Sequence, residues 1–94
     1  MQNTIVKYVR KSASNRTPIG TLMATKDANG DVRVGWSFCN RRDHFNRVEG
    51  RRIAEQRILG RVKGSVPHAV RRDLDDFIDR SQRHFKTQDI SVVE

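Results

Sequence analysis

The segment from Ile19 to Phe38 constrains this chain more than any other. In Val32-Arg33-Val34-Gly35-Trp36-Ser37-Phe38, apolar residues alternate with polar or small ones. That period of two puts Val32, Val34, Trp36 and Phe38 on one face of an extended strand, packed on a core. Just upstream, Asp27-Ala28-Asn29-Gly30-Asp31 makes a turn, with Asn29 and Gly30 tolerating positive φ. Ile19–Lys26 then reads as the partner strand of a hairpin. Thr4–Lys11 (TIVKYVRK) is rich in β-branched and aromatic residues and reads as a further strand, with the polar Ser12–Thr17 and then Pro18 as the connection.

Past Phe38 the pattern becomes helical. Residues 41–63 read as a helix capped by Asn40, with Asp43 three residues on, or by Asp43 itself. Phe45, Val48, Ile58, Leu59 and Val62 share a stripe and Ile53 lies off it. The helix therefore touches two surfaces or changes course near Gly50. A glycine inside a helix costs about 1 kcal/mol against alanine. Gly50 thus marks a close approach by another backbone or a ligand, or is simply tolerated. Gly64 ends this helix, Ser65 caps the next, and Pro67 fits its first turn. Over residues 66–86, Val70, Leu74, Phe77, Ile78, Ser81 and Phe85 form one stripe. Asp75, Asp76, Asp79, Arg72 and Arg83 lie opposite, which defines an amphipathic helix. The tail Asp89–Glu94 reads as a short strand, added to a neighbour's sheet, or as a frayed end. The expectation is a single α+β domain over residues 1–94. An N-terminal antiparallel β-hairpin or three-stranded sheet (about 4–11, 19–26 and 32–38) precedes two C-terminal α-helices (about 41–63 and 66–86).

Charge narrows the functional classes. The 94 residues carry a net charge of +8, and fourteen of the nineteen basic residues are arginine. Arginine's planar fork grips phosphate or carboxylate bidentately and stacks on bases, whereas lysine would serve equally well for solubility alone. The surplus is uneven: residues 41–63 hold eight bases against three acids, and residues 64–94 hold five against six. An anion site therefore belongs to the first two-thirds of the chain. No stretch approaches the ~18 apolar residues of a membrane helix. The N-terminus lacks the basic-then-apolar pattern of a signal peptide, and the single Cys39 excludes an internal disulfide framework. A cytoplasmic, reducing location and no membrane partner are expected.

The junction Trp36-Ser37-Phe38-Cys39-Asn40-Arg41-Arg42-Asp43-His44-Phe45 is the candidate site. A strand that runs into a helix N-terminus presents free N–H groups and the positive end of the dipole. Arg41 and Arg42 add charge there, Arg47, Arg51, Arg52 and Arg57 follow along the helix, and Asn40 stands at the corner. Trp36 and Phe45 either stack on a base or belong to the core. The arginines either hold phosphate or form a solvated surface. Cys39, His44, His68 and His84 lack the paired spacing of a zinc site, so neither a metal nor a cofactor is expected. His44 beside Asp43 is the one candidate general base, and no nucleophile elbow, Walker lysine motif or carboxylate pair accompanies it. A binding protein is expected, not an enzyme. A helix-turn-helix is disfavoured because its second helix would bring Asp73, Asp75, Asp76 and Asp79 to the phosphates.

The string from Ser37 to Phe45, Ser-x-Cys-Asn-x-x-Asp-x-Phe, running into a helix with glycine and alanine at fixed offsets, resembles a pattern in small phage-encoded proteins; it spans about Val32 to Arg57. Arg41-Arg42 departs from that pattern, where proline or lysine is expected. The architecture is also similar to phage anti-defence sponge proteins of the Thoeris anti-defence type. That resemblance implies a homo-oligomer that sequesters an anionic nucleotide signal without cleaving it. It places the ligand near Trp36, Asn40, Arg41, Arg42 and the helix arginines. Two other expectations stand beside it: DNA or RNA binding along residues 41–63, and inhibition of an acidic host protein.

Overall fold

The computed structural model describes residues 3–12, 14, 16–39, 44–60 and 64–93. One four-stranded sheet runs in the order β1 (Thr4–Val9), β2 (Gly20–Lys26), β3 (Val32–Phe38), β4 (Ile90–Val92). The first three strands are antiparallel and β4 is parallel to β3. The fold is α+β, and its sheet has one strand more than three. Ile90–Val92 pairs with Val32–Val34 of its own chain, and the Val93 N–H donates to Val34 O at 2.9 Å. In the β2–β3 turn, the Asp27 carboxylate accepts from the Asn29 and Asp31 amides at 2.9 and 3.0 Å. Gly30 takes φ +87°, where a side chain would be strained.

Alternation along the strands divides the core into two layers. Ile5, Val9, Leu22, Ala24, Val32, Val34 and Trp36 pack with Val66, Val70, Leu74, Phe77 and Phe85. The last four come from α2 (His68–Arg71) and α3 (Leu74–Phe85). The intervening residues point the other way, where Met23 meets Ala54 and Ile58 of α1 (Arg47–Ile58). The sheet is therefore covered by α1 on one face and by α2 and α3 on the other.

The helices depart from the expected boundaries for identifiable reasons. α1 starts at Arg47 because Asn46, in extended conformation, caps it by accepting from the Glu49 amide at 3.0 Å. Asn46-x-x-Glu49 is a capping-box spacing that lies downstream of the Asn40 and Asp43 alternatives, both of which fall outside the described residues. α1 ends at Ile58, and Gly60 at φ +75° provides the left-handed residue after it, four residues before Gly64. The expected helix over 66–86 is two: at Asp73 the bond pattern tightens to Asp73 N–H to Val70 O, 3.1 Å, and α3 begins anew.

The expected apolar stripe of α1 is also corrected. Its buried face is Gly50, Ala54 and Ile58, so of the expected stripe Ile58 is buried and Phe45 half-buried, Val48 and Leu59 are exposed, and Val62 lies outside the described residues. The floor beneath the helix leaves no room for anything larger. A Cβ on Gly50 would come within 2.5 Å of Thr21 Oγ1 and 3.2 Å of Ser37 Oγ. Small residues on both sides let helix and sheet approach closely, which is why Gly50 is glycine.

Candidate functional site

Of the residues expected at the strand-to-helix corner, Trp36, Phe45 and Arg47 are among the described ones. Asn40, Arg41 and Arg42 lie outside the described residues. Trp36 is 5% exposed and belongs to the core on the α2/α3 face. Period two put it on the same side as Val32 and Val34, and no base can reach its ring face. That face is taken by Arg57, whose guanidinium carbon lies 3.7 Å from the ring centroid.

Arg57 serves the fold in a second way. β4 pairs only with the first half of β3, so the carbonyl of Trp36 on that edge has no strand beside it. Arg57 donates to it at 2.8 Å. Burial pushes the Arg57 guanidinium below its usual pKa. The Nε atoms of Arg57 and Nε1 of Trp36 are buried without hydrogen-bond partners.

Other arginines are used in the same manner. Arg80 donates to Val6 O (3.4 Å), a carbonyl on the outer edge of β1, and Arg72 to Arg10 O (2.7 Å), just past the end of that strand. Arg33 donates to Ile58 O at the end of α1, and Arg10 to Arg16 O. Blocking open strand edges with charged side chains suppresses edge-to-edge association. Five of the arginines thus hold backbone carbonyls, a structural use that composition alone could not separate from anion binding.

Arg52 is engaged too. It forms a two-point pair with Glu49, 2.6 and 3.0 Å, on the exposed face of α1. The bond from Arg52 holds the Glu49 carboxyl below the usual carboxylate range, and the same bond raises Arg52. Arg51 is exposed on the side of α1 that overlooks β1 and β2.

Among the described residues Phe45, Arg47 and Arg51 stay open to a ligand, and the structure joins the first two to a residue outside the expected set. Tyr8, on β1, meets Phe45 edge to face with ring centroids 5.9 Å apart. The Arg47 guanidinium lies 4.9 Å from the Tyr8 centroid. Both rings are half-buried, so each keeps an accessible part. Tyr8 also borders a shallow hollow of about 380 Å³ whose other walls include Lys7, Arg10, Ser12 and Arg72. Asp73 is the acid at its rim, 3.8 Å from Arg72. On its other side Phe45 walls a cleft of about 280 Å³ with Ser37, Phe38, His44 and Glu49. Phe38, at the strand end, is 44% exposed.

The register explains why these residues meet. Tyr8 pairs with Thr21 and Thr21 with Ser37, a row across the sheet on the α1 face. The N-terminus of α1 sits at this row, which brings Phe45 and Arg47 to Tyr8. In the sequence Tyr8 appears only as one more aromatic residue in a strand. Among the described residues no group of three or more histidines, cysteines or carboxylates could hold a metal ion, and no helix is long and apolar enough to cross a membrane. No known protein family, curated protein or solved structure matches the chain.

Proposed function

We propose that the protein binds single-stranded nucleic acid, without chemical action on it, at the end of the sheet where β1 meets the start of α1. The observation that carries this reading is the Tyr8–Phe45–Arg47 cluster beside a hollow walled by Lys7, where Arg10 and Arg72, each donating to one backbone carbonyl, add positive charge. A half-open ring stacks on any base, worth about 1–3 kcal/mol per base, while neighbouring cations track the phosphates. The hollow is shallow and open along its length. A small molecule needs most of its surface enclosed, whereas a polymer can pass across an open site. The charge of +8 adds long-range attraction for a polyanion.

Fluorescence anisotropy with a labelled single-stranded oligonucleotide tests this. Binding is expected to weaken with salt, with a log–log slope of about −0.7 for each phosphate neutralised. Tyr8→Ala and Arg47→Ala should each weaken it by about tenfold. Arg52→Ala and Arg57→Ala, whose side chains are engaged elsewhere, should leave it within about twofold. Unchanged binding by Tyr8→Ala would move the site away from this cluster.

A second reading has one observation in its favour. The cleft between Phe38, Phe45 and the α1 N-terminus is about 280 Å³, close to the lower limit for a small-molecule site. It fits sequestration of a small phosphate-bearing nucleotide, as in the anti-defence sponges to which the architecture is similar. Glu49 on its wall opposes an anion. A thermal shift with cyclic nucleotides that persists at high salt, without oligonucleotide binding, would favour this reading over the first.

A further inference from the structure

α1 lies over β2 and β3 and covers β1 less fully. Between helix and β1 runs a groove of about 660 Å³, floored by the half-buried Thr4, Val6 and Thr25 and by Met23. Its helix wall includes Val48, Arg52, Glu55 and Leu59, which recur at intervals of four, three and four residues. Such positions fall on one side of a helix, the spacing by which two helices seat against each other. Val48 is 67% and Leu59 53% exposed, two of the three large apolar side chains left open among the described residues. Isolated exposed apolar residues are ordinary, but here two of them end one stripe beside a groove.

We infer that this groove is the contact surface for a second copy of the chain, with the two α1 helices packed antiparallel about a two-fold axis. The stripe reads the same in both directions under that symmetry. An axis midway between Arg52 and Glu55 sets Val48 against the partner's Leu59 and Arg52, which also holds Glu49 of its own chain, against the partner's Glu55, each twice. Arg51 then meets the partner's Gln56, so no like charges oppose. A parallel arrangement would set Arg52 on the partner's Arg52 and Glu55 on the partner's Glu55, which is repulsive. The self-complementary order of charge therefore selects both the partner and its orientation. Each partner helix would lie beside Thr4, Val6 and Thr25 and cover the half-buried part of the sheet. For a chain with so small a core, covering that face is a direct gain in burial.

The experiment uses the full chain. Light scattering at tens of micromolar should give a mass near twice the chain's 10.9 kDa. Arg52→Glu and Glu55→Arg should each raise the dimer dissociation constant by about tenfold, because two opposite-charge contacts become like-charge ones. The double variant Arg52→Glu/Glu55→Arg should restore association, because the order of charge is reversed but still complementary. Circular dichroism on each variant shows whether a loss of mass is a loss of folding. In a Cys39→Ser background, Val48→Cys and Leu59→Cys chains should form a disulfide when mixed, and neither should do so alone. A monomeric wild type, a double variant as weak as the single ones, or cross-linking of Val48→Cys chains to each other would overturn the inference.

Discussion

Replacing Gly35 by alanine tests how α1 is seated on the sheet. A Cβ at Gly35 would collide with the backbone oxygen of Ala54 and lie 2.7 Å from Ile58 Cγ1 and 3.1 Å from Ala54 C. Ordinary contacts begin at 3.4 Å. The colliding atom is helix backbone, so no side-chain rotation relieves it, and α1 must lift by on the order of 1 Å. Lifting opens the Met23–Ala54–Ile58 layer. Overpacking typically costs 1–3 kcal/mol, and a collision with backbone belongs at the upper end, about 3 kcal/mol. Alanine's smaller unfolded-state entropy returns about 0.5–1 kcal/mol. The net loss is about 2 kcal/mol, which lowers Tm by roughly 8–16 °C in a domain of this size. Far-ultraviolet circular dichroism melts at fixed protein concentration measure it. Gly64→Ala is the control, since a Cβ there meets only the Trp36 ring, at 3.8 and 4.0 Å, and its Tm should stay within about 4 °C. A Gly35→Ala protein that melts as close to wild type as the control does would refute the seating of α1 on this strand.

Three further outcomes follow from the same contacts. Thr21 is fully buried beneath α1 and its hydroxyl has no hydrogen-bond partner; Thr21→Val should stabilise the fold by about 1 kcal/mol in urea titrations, and a loss instead would mean that the hydroxyl is held by a weak contact from Gly50. Arg57→Ala removes both the edge hydrogen bond and the cover over Trp36; about 1–2 kcal/mol should be lost, with a red shift in emission from the single tryptophan. Glu49 carries a folded-state pKa held below 4.5 by Arg52, so its contribution is present above the ordinary carboxylate range and disappears as pH falls through the lowered value. The difference in Tm between wild type and Glu49→Gln should accordingly be small at neutral pH, because the pair is exposed, and vanish in acid.

How much was legible differs from element to element. The β2–β3 hairpin was readable residue by residue, because Val32–Phe38 alternates and the Asp27–Asp31 turn carries its own hydrogen bonds. α3 was readable for a similar reason: Leu74, Phe77, Ser81 and Phe85 recur at helical spacing and are buried. α1 was misjudged in its limits and in its face. Its cap, Asn46 with Glu49, was present in the sequence but was overshadowed by Asn40 and Asp43. Its buried residues are small, and hydrophobicity gives no signal for a glycine and an alanine pressed against a sheet. Of the expected site residues, Phe45 and Arg47 lie together, Trp36 and Arg57 are occupied with each other, and Tyr8, outside that set, touches the first two.

The sequence by itself determined the periodicities, and with them which stretches extend and which coil, because a strand of period two and a helix of period 3.6 are set by neighbouring residues alone. It also determined the excess of arginine. Only the tertiary structure decided what each arginine touches and which aromatic side chains share a surface. Tyr8 and Phe45 are far apart along the chain, and they meet because β1, β2 and β3 align Tyr8, Thr21 and Ser37 beneath the start of α1. Strand register and helix placement are properties of the whole packed chain, since they minimise exposed apolar surface and unpaired backbone groups over all elements at once.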